Sequence, residues 1–259
     1  MRVQAWSRLS GIIRSGRKPL GTFITSLDPA TTTIMGSVGF DFLILDAEHG
    51  PIDLGAALSH VRAAQAVDTI TLVRVIENSP KLIQSFMDVG AAGIVVPHVD
   101  TAQQAERALA ATRYAPGGRG MCPVCYAAHY SIDGWRDFVA TSNRECLMIP
   151  MIETAQAVRN AAQIVAVPGV EIVLFGPGDL AQDLGLDLFT DMSKLQDSWL
   201  QVRDAVQTAG KLVMVPDGFS LEGADILFRD MDLLILRQAA KTIVAEHREG
   251  DRAAHNQEK

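Results

Sequence analysis

Eight short apolar, β-branched runs recur along the chain, each followed by a longer stretch with helical spacing, and this alternation restricts the fold more than any other feature. The runs cover residues 20–26, 40–48, 70–76, 93–99, 147–153, 170–175, 211–215 and 233–236. Amphipathic segments follow at 29–38, 54–66, 80–89, 102–112, 155–165, 194–208, 221–228 and 239–248. Strand, helix and strand in repeated succession imply parallel pairing with the helices outside. Eight strands close a parallel barrel, although a doubly wound open sheet has the same alternation. No Pro/Ser-rich linker interrupts the 259 residues, so residues 1–259 read as a single domain. A short helix at about 3–15, carrying Trp6, Leu9, Ile12 and Ile13, is expected to pack beneath it and is preferred to a transit peptide. A C-terminal helix and a polar, solvated tail are expected from about 238.

Composition narrows the partners. A net charge of −7 argues against nucleic acid and against an anionic membrane, and no apolar run is long enough to span a bilayer. Three cysteines do not make a disulfide framework, so a reducing compartment, the cytoplasm, is expected. Small metabolites remain.

In a (β/α)8 barrel, chemistry gathers where the strands end, and the polar residues of this chain fall there. The second run ends in Asp46, Glu48 and His49, the third carries Arg74, the fifth ends in Glu153, and the sixth leads through Gly176, Pro177 and Gly178 to Asp179. Period-two alternation puts Asp46 and Glu48 on one face, as it does Met151 and Glu153. Charges on otherwise apolar strands need compensation, by ion pairs, a metal, or both. Glu153 and Asp179 are 26 positions apart, one strand–helix–strand unit, and so should top adjacent strands. Two carboxylates without a His/Cys set suit a hard divalent cation that keeps waters or substrate oxygens. Each residue also has a plain structural alternative: Glu153 and Asp179 as helix caps, His49 as a turn residue, Arg74 as a barrel arginine. The Cys122 and Cys125 pair lies in the long stretch 115–133 with no second ligand pair and reads as a bystander. No Lys tops a candidate strand, which disfavours Schiff-base chemistry.

The motifs GFDFLILDAEHGP, LVRV, DVGAAGIVVPHVDTAQQA, RYAPGGRG, MIETAQAV and GVEIVLFGPGDLAQDLG, in this order over roughly residues 17–185, closely resemble those of the HpcH/HpaI aldolase family. The resemblance implies a (β/α)8 TIM barrel of the phosphoenolpyruvate/pyruvate-binding type and a metal-dependent class II aldolase. Metal carboxylates match Glu153 and Asp179, holding Mg2+, Mn2+ or Co2+; the pyruvate-binding arginine matches Arg74; the Asp/His base pair matches Asp46 and His49. Glu48 would stand behind these, and the backbone of Gly176, Pro177, Gly178 and Asp179 would lie near the pyruvate carboxylate. A homo-oligomer, hexamer or trimer, is implied too. The sequence departs from the family where Met151 replaces a usual Gln, and where Leu236 to Ala239 replaces a Gly-Ser-Asp type turn after the expected eighth strand.

The expected reaction is reversible cleavage of a 4-hydroxy-2-oxo acid to pyruvate and an aldehyde, with His49 as the base oriented by Asp46. Two rivals keep the same scaffold. One is another enolate reaction, such as oxaloacetate decarboxylation or cleavage of an acyl-CoA hydroxy acid; the other is a non-catalytic 2-oxo acid binder.

Overall fold

The computed structural model describes residues 4–188, 190–219 and 221–257, with 250–257 as backbone only. Strands β1 (Leu20–Ile24), β2 (Phe42–Asp46), β3 (Ile70–Arg74), β4 (Gly93–Val96), β5 (Leu147–Ile152), β6 (Ile172–Phe175), β7 (Leu212–Pro216) and β8 (Ile226–Met231) pair in parallel, and β8 closes on β1. Helix α1 (Ala5–Arg14) precedes them. Around the barrel run α2 (Ala30–Ser37), α3 (Leu54–Ala66), α4 (Pro80–Asp88), α5 (Ala102–Thr112), α6 (Trp135–Glu145), α7 (Ala155–Arg159), α8 (Ala161–Val165), α9 (Pro177–Asp183) and α10 (Gln196–Thr208), with α11 (Asp232–Gln257) last.

Alternation along the strands builds two cores. Phe42 and Ile44, Ile70 and Leu72, Ile149 and Met151, and Ile172 and Leu174 face inward and pack with Ala5 and Leu9 of α1. Leu43, Leu45, Val73, Ile152, Val173 and Phe175 face the helices. The inward set continues at the next even step to Asp46, Arg74 and Glu153, so the pleat that fills the barrel also sends these charges into its mouth.

Local signals start the helices where expected. The Asp53 carboxylate accepts from Ala56 N–H at the head of α3, and Thr101 with Gln104 forms a reciprocal capping box on α5. The long segment after α5 is anchored by Arg119, which is buried, donates through Nε to Asp88 Oδ1 at 3.0 Å and lies over the Tyr114 ring. Cys122 and Cys125 are free thiols there.

Several expectations need correction. The eighth strand is Ile226–Met231, not 233–236, and no helix occupies 221–228. Apolar runs this short do not distinguish strand from helix; pairing decides, because Leu227 sits opposite both Leu20 and Val215 and fills the last gap of the barrel. Residues 233–236 therefore belong to α11, which begins at Asp232 rather than 238 and remains helical through the expected tail to Gln257. The turn compared with the family at Leu236 to Ala239 is accordingly not a strand exit at all. Helix α6 was not expected, and the single helix expected at 155–165 is two, broken at Asn160, whose Nδ2 donates to Asp100 O at 2.7 Å. The N-terminal helix spans Ala5–Arg14; residue 3 of its expected range lies outside the described residues.

Candidate active site

Parallel register brings the first two charges together. Asp46 and Arg74 are direct partners across β2 and β3. Arg74 Nε donates to Asp46 Oδ1 at 2.9 Å and Nη2 to Oδ2 at 2.7 Å, a two-pronged pair with Asp46 fully buried. Arg74 Nη1 lies 3.3 Å from Glu48 Oε2, an ion contact without hydrogen-bond alignment, and the guanidinium covers the Phe23 ring at 4.7 Å. Burial pushes the Glu48 carboxyl up, against the opposing pull of Arg74 and of His49 and His98.

Asp46 does not bind the His49 imidazole. Its Oδ1 accepts from the backbone N–H of Glu48 and His49 at 3.1 and 3.2 Å, tightening the turn after β2, and its remaining capacity goes to Arg74. The exposed His49 ring instead has Glu48 beside it, Nε2 to Oε2 at 3.7 Å. An Asp46–His49 side-chain dyad is thus absent; what Asp46 orients is Arg74 and the loop that carries His49.

Glu153 follows β5 directly and is 1% exposed. Its Oε1 accepts from His98 N–H at 2.7 Å, while its buried Oε2 has no hydrogen-bond partner. Burial pushes this carboxyl up to about 7; the His98 N–H opposes the shift, and the charges of Asp179 and Glu48 add to it. β5 and β6 are neighbours, and Gly176 N–H donates to Ile152 O, so Gly176 stands beside Glu153 and Asp179 follows in the first turn of α9. A Cβ on Gly176 would lie 3.0 Å from Glu153 Oε2 and 2.9 Å from Glu153 Cβ; glycine leaves that carboxylate its space.

These observations fit a divalent cation. A buried carboxylate oxygen without a donor is costly in a folded protein and is stabilised by a cation that reaches it. Asp179 is the second acidic group near enough to raise the Glu153 pKa from the α9 side. Among the described residues no three His, Cys, Asp or Glu gather as a cage. A hard cation on two carboxylates, with water or substrate completing its shell, matches this donor set.

Arg74, Met151 and Gly176 through Asp179 are among the residues that line a cavity of about 360 Å³ at the C-terminal mouth. Met151 is buried one pleat below Glu153. Glu48, His49, His98 and Glu153 cluster beside this cavity, on the β2 to β5 side.

His98 was missed by sequence reasoning. Its φ of 51° holds an unusual left-handed turn whose N–H reaches Glu153, and its ring lies 3.6 Å from Glu153 Oε1 and 4.0 Å from Glu48 Oε1. The signal was available: His98 follows the fourth strand as His49 follows the second. Phe219, Phe228, Asp230 and Leu234, which also line the cavity, were missed too, the last three because they come from the segment whose strand and helix were exchanged.

Residues 20–225 match the model of the HpcH/HpaI aldolase/citrate lyase family. The chain belongs to that family. Among its relatives, the hydroxypyruvate/pyruvate aldolase of Roseovarius nubinhibens is 30% identical over 92% of this chain and 96% of its own length. The 2-dehydro-3,6-dideoxy-6-sulfogluconate aldolase of Pseudomonas putida is 38% identical over 64% of this chain, an alignment that spans 65% of the relative. A solved HpcH/HpaI aldolase from Desulfitobacterium hafniense superposes with a TM-score of 0.85 at 26% identity, covering 93% of this chain and 96% of that one. Membership in the HpcH/HpaI family, with aldolase-named relatives over most of the chain, makes this a carbon–carbon lyase of the aldolase kind.

Proposed function

We propose that this aldolase reversibly cleaves a 4-hydroxy-2-oxo acid to pyruvate and an aldehyde, with Arg74, Glu153, Asp179 and His49 as its working residues. The observation that carries the reading is the placement, at one barrel mouth, of a buried, Asp46-locked Arg74 and of a buried Glu153 whose Oε2 lacks a partner. Glu153 and Asp179 would hold a divalent cation of the Mg2+, Mn2+ or Co2+ type. When bound, it supplies Lewis-acid stabilisation of negative charge on the 2-oxo acid oxygens.

Arg74 adds fixed positive charge where the enolate oxygen develops its charge, and Asp46 removes the entropy of placing it. In cleavage the C4 hydroxyl loses its proton to His49, C4 becomes the aldehyde carbon, and the electrons of the C3–C4 bond pass to the enolate. Protonation at C3 gives the pyruvate methyl group. Condensation runs the same steps in reverse, with His49 returning the proton to the new hydroxyl. Glu48, between Arg74 and the His49 ring, favours the imidazolium that forms. The backbone of Gly176, Pro177, Gly178 and Asp179 borders the cavity and is assigned to the pyruvate carboxylate.

Free Cys122, Cys125 and Cys146 support a reducing compartment such as the cytoplasm, and apolar Leu236, Ile243 and Val244 exposed on α11 support a homo-oligomer. Among the described residues no helix is long and apolar enough to cross a membrane. The deciding experiment is pyruvate release from a panel of 4-hydroxy-2-oxo acids, before and after chelation. Loss of turnover on chelation and its return with Mg2+, Mn2+ or Co2+ is expected; full turnover in metal-free protein would refute the assignment of Glu153 and Asp179.

A further inference from the structure

We infer that Cys122 and Cys125 form a reversible modification site, where a low-molecular-weight disulfide such as oxidised glutathione is reduced and the two thiols are joined within the chain. The inference is independent of the aldolase reading.

As metal ligands the two cysteines remain bystanders, because among the described residues no third His, Cys, Asp or Glu gathers with them. As a pair of thiols they are well placed. Both are free, Cys122 is exposed and Cys125 half-buried. Pro123 and Val124 are the central residues of a turn whose two ends are the cysteines, and proline is favoured at the second position of such a turn. The Cα atoms that bound a β-turn lie within about 7 Å, and a disulfide bridges Cα atoms about 4.4–6.8 Å apart. Closing the bridge therefore asks for side-chain rotation rather than a rearranged backbone.

The turn is also held from both sides. Upstream, Arg119 Nε donates to Asp88 Oδ1 at 3.0 Å. Downstream, Tyr126 Oη–H donates to Gln65 Oε1 at 2.7 Å, and the Arg62 guanidinium lies 5.0 Å from the Tyr126 ring centroid. The Cys125 carbonyl accepts from the N–H of Ala128 and Tyr130, which fixes the backbone at the second thiol. Tertiary contacts thus keep the pair in its turn.

Exposure sets the order of events. Burial pushes the Cys125 thiol up, against the Ala128 N–H, and the charges of Asp88 and Cys122 add to the shift. Cys122 is the accessible sulfur, so its thiolate attacks the small disulfide first. That S–S bond breaks, one small thiol leaves, and the other half stays on Cys122 as a mixed disulfide. Cys125 then loses its proton to water and attacks Cys122 Sγ, forming the intrachain bond and expelling the second small thiol. Two protein thiols are oxidised and one small disulfide is reduced to two thiols. Cys146, buried at 2% exposure, takes no part.

The test treats the native full chain with oxidised glutathione at pH 8, quenches in acid and maps every cysteine by mass spectrometry. A Cys122–Cys125 disulfide with no retained glutathione and with Cys146 still a thiol is expected, and excess reduced glutathione should reverse it. Cys125→Ser should stop at the first step and retain one glutathione on Cys122. Cys122→Ser should take up glutathione at least about tenfold more slowly than Cys125→Ser, since only the shielded sulfur of the pair is left. Wild-type protein that keeps glutathione on Cys122 as stably as Cys125→Ser does would overturn the inference. So would unreacted thiols at 122 and 125, bridges between two copies of the chain in place of the internal one, or Cys146 reacting as fast as Cys122.

Discussion

Arg74 shows how one side chain is made useful by what it gives up. Two of its nitrogens are committed to Asp46, so the guanidinium is held in place before substrate arrives. A lysine would keep the charge and lose the fork. Arg74→Lys should therefore fold but slow pyruvate methyl exchange by about 10²-fold, as for loss of a fixed oxyanion donor, with a larger effect on kcat than on KM. NMR of pyruvate in D2O reads this directly, and a near-normal exchange rate would remove Arg74 from the enolate. Glu153 yields a prediction of opposite character. Its carboxyl is raised to about 7 from an ordinary 4.5, so the folded, metal-free protein holds that proton more tightly than the unfolded chain does. Its contribution to stability is therefore lost as pH rises from about 4.5 to 7, and at about 1.4 kcal/mol per unit the loss is roughly 3 kcal/mol. Urea midpoints in chelator at pH 5 and pH 8 should show this fall in the wild type and a much flatter response in Glu153→Gln. Mg2+ should restore more stability at pH 8 than at pH 5, since it must displace the proton at the lower pH.

At the scale of elements, the joint between β8 and α11 carries more than its sequence suggests. Asp232 is buried, its Oδ1 accepts from Thr25 N–H, Thr25 Oγ1–H and Leu233 N–H, and its Oδ2 accepts from Ser26 N–H. One carboxylate thus ties the exit of β1 to the start of the last helix, where Phe23 and Leu234 line the cavity. Replacement by Ala would leave buried backbone donors unpaired, and a loss of about 3 kcal/mol is expected. Denaturant unfolding of Asp232→Ala measures it; a change below about 1 kcal/mol would mean that water replaces the carboxylate. The same joint explains why this region was illegible in sequence. Leu233-Leu234-Ile235-Leu236 is as apolar as a buried strand, and only the pairing of Ile226 and Leu227 with β7 and of Leu227 with β1 assigns the strand elsewhere.

Across the whole molecule, stability and chemistry sit at opposite ends of one barrel. Helix α1 inserts Ala5 and Leu9 into the inward core, and Ser7 binds the buried Glu145 carboxylate through Oγ at 2.8 Å and N–H at 3.0 Å, while the charged cluster occupies the other mouth. Leu9→Ala should accordingly cost about 2–5 kcal/mol of stability, the usual range for a buried leucine. Its kcat/KM at a temperature where it is fully folded should stay within about threefold of wild type, because that end of a barrel serves packing. A large kinetic defect with an intact melt would show that the two ends are coupled.

The alternation of apolar runs with amphipathic segments was sufficient for a parallel α/β fold, because pleat and helix period are local properties that neighbouring residues dictate; the closed barrel over the doubly wound sheet rested on the number of strands and on the family resemblance. The same local rule placed Asp46, Arg74 and Glu153 on inward faces, and an ordered set of motifs tied them to a family. Partnership was not local. That Asp46 grips Arg74 and leaves the His49 ring to Glu48 depends on the register between β2 and β3, which brings residues 28 positions apart level with one another. His98 joined the site only through the left-handed turn that aims its N–H at Glu153. The lining that Phe228, Asp230 and Leu234 give the cavity was decided last of all, when barrel closure chose Ile226–Met231 over an equally apolar run as the eighth strand: a strand needs partners on both sides, and where those partners lie is a property of the folded chain alone.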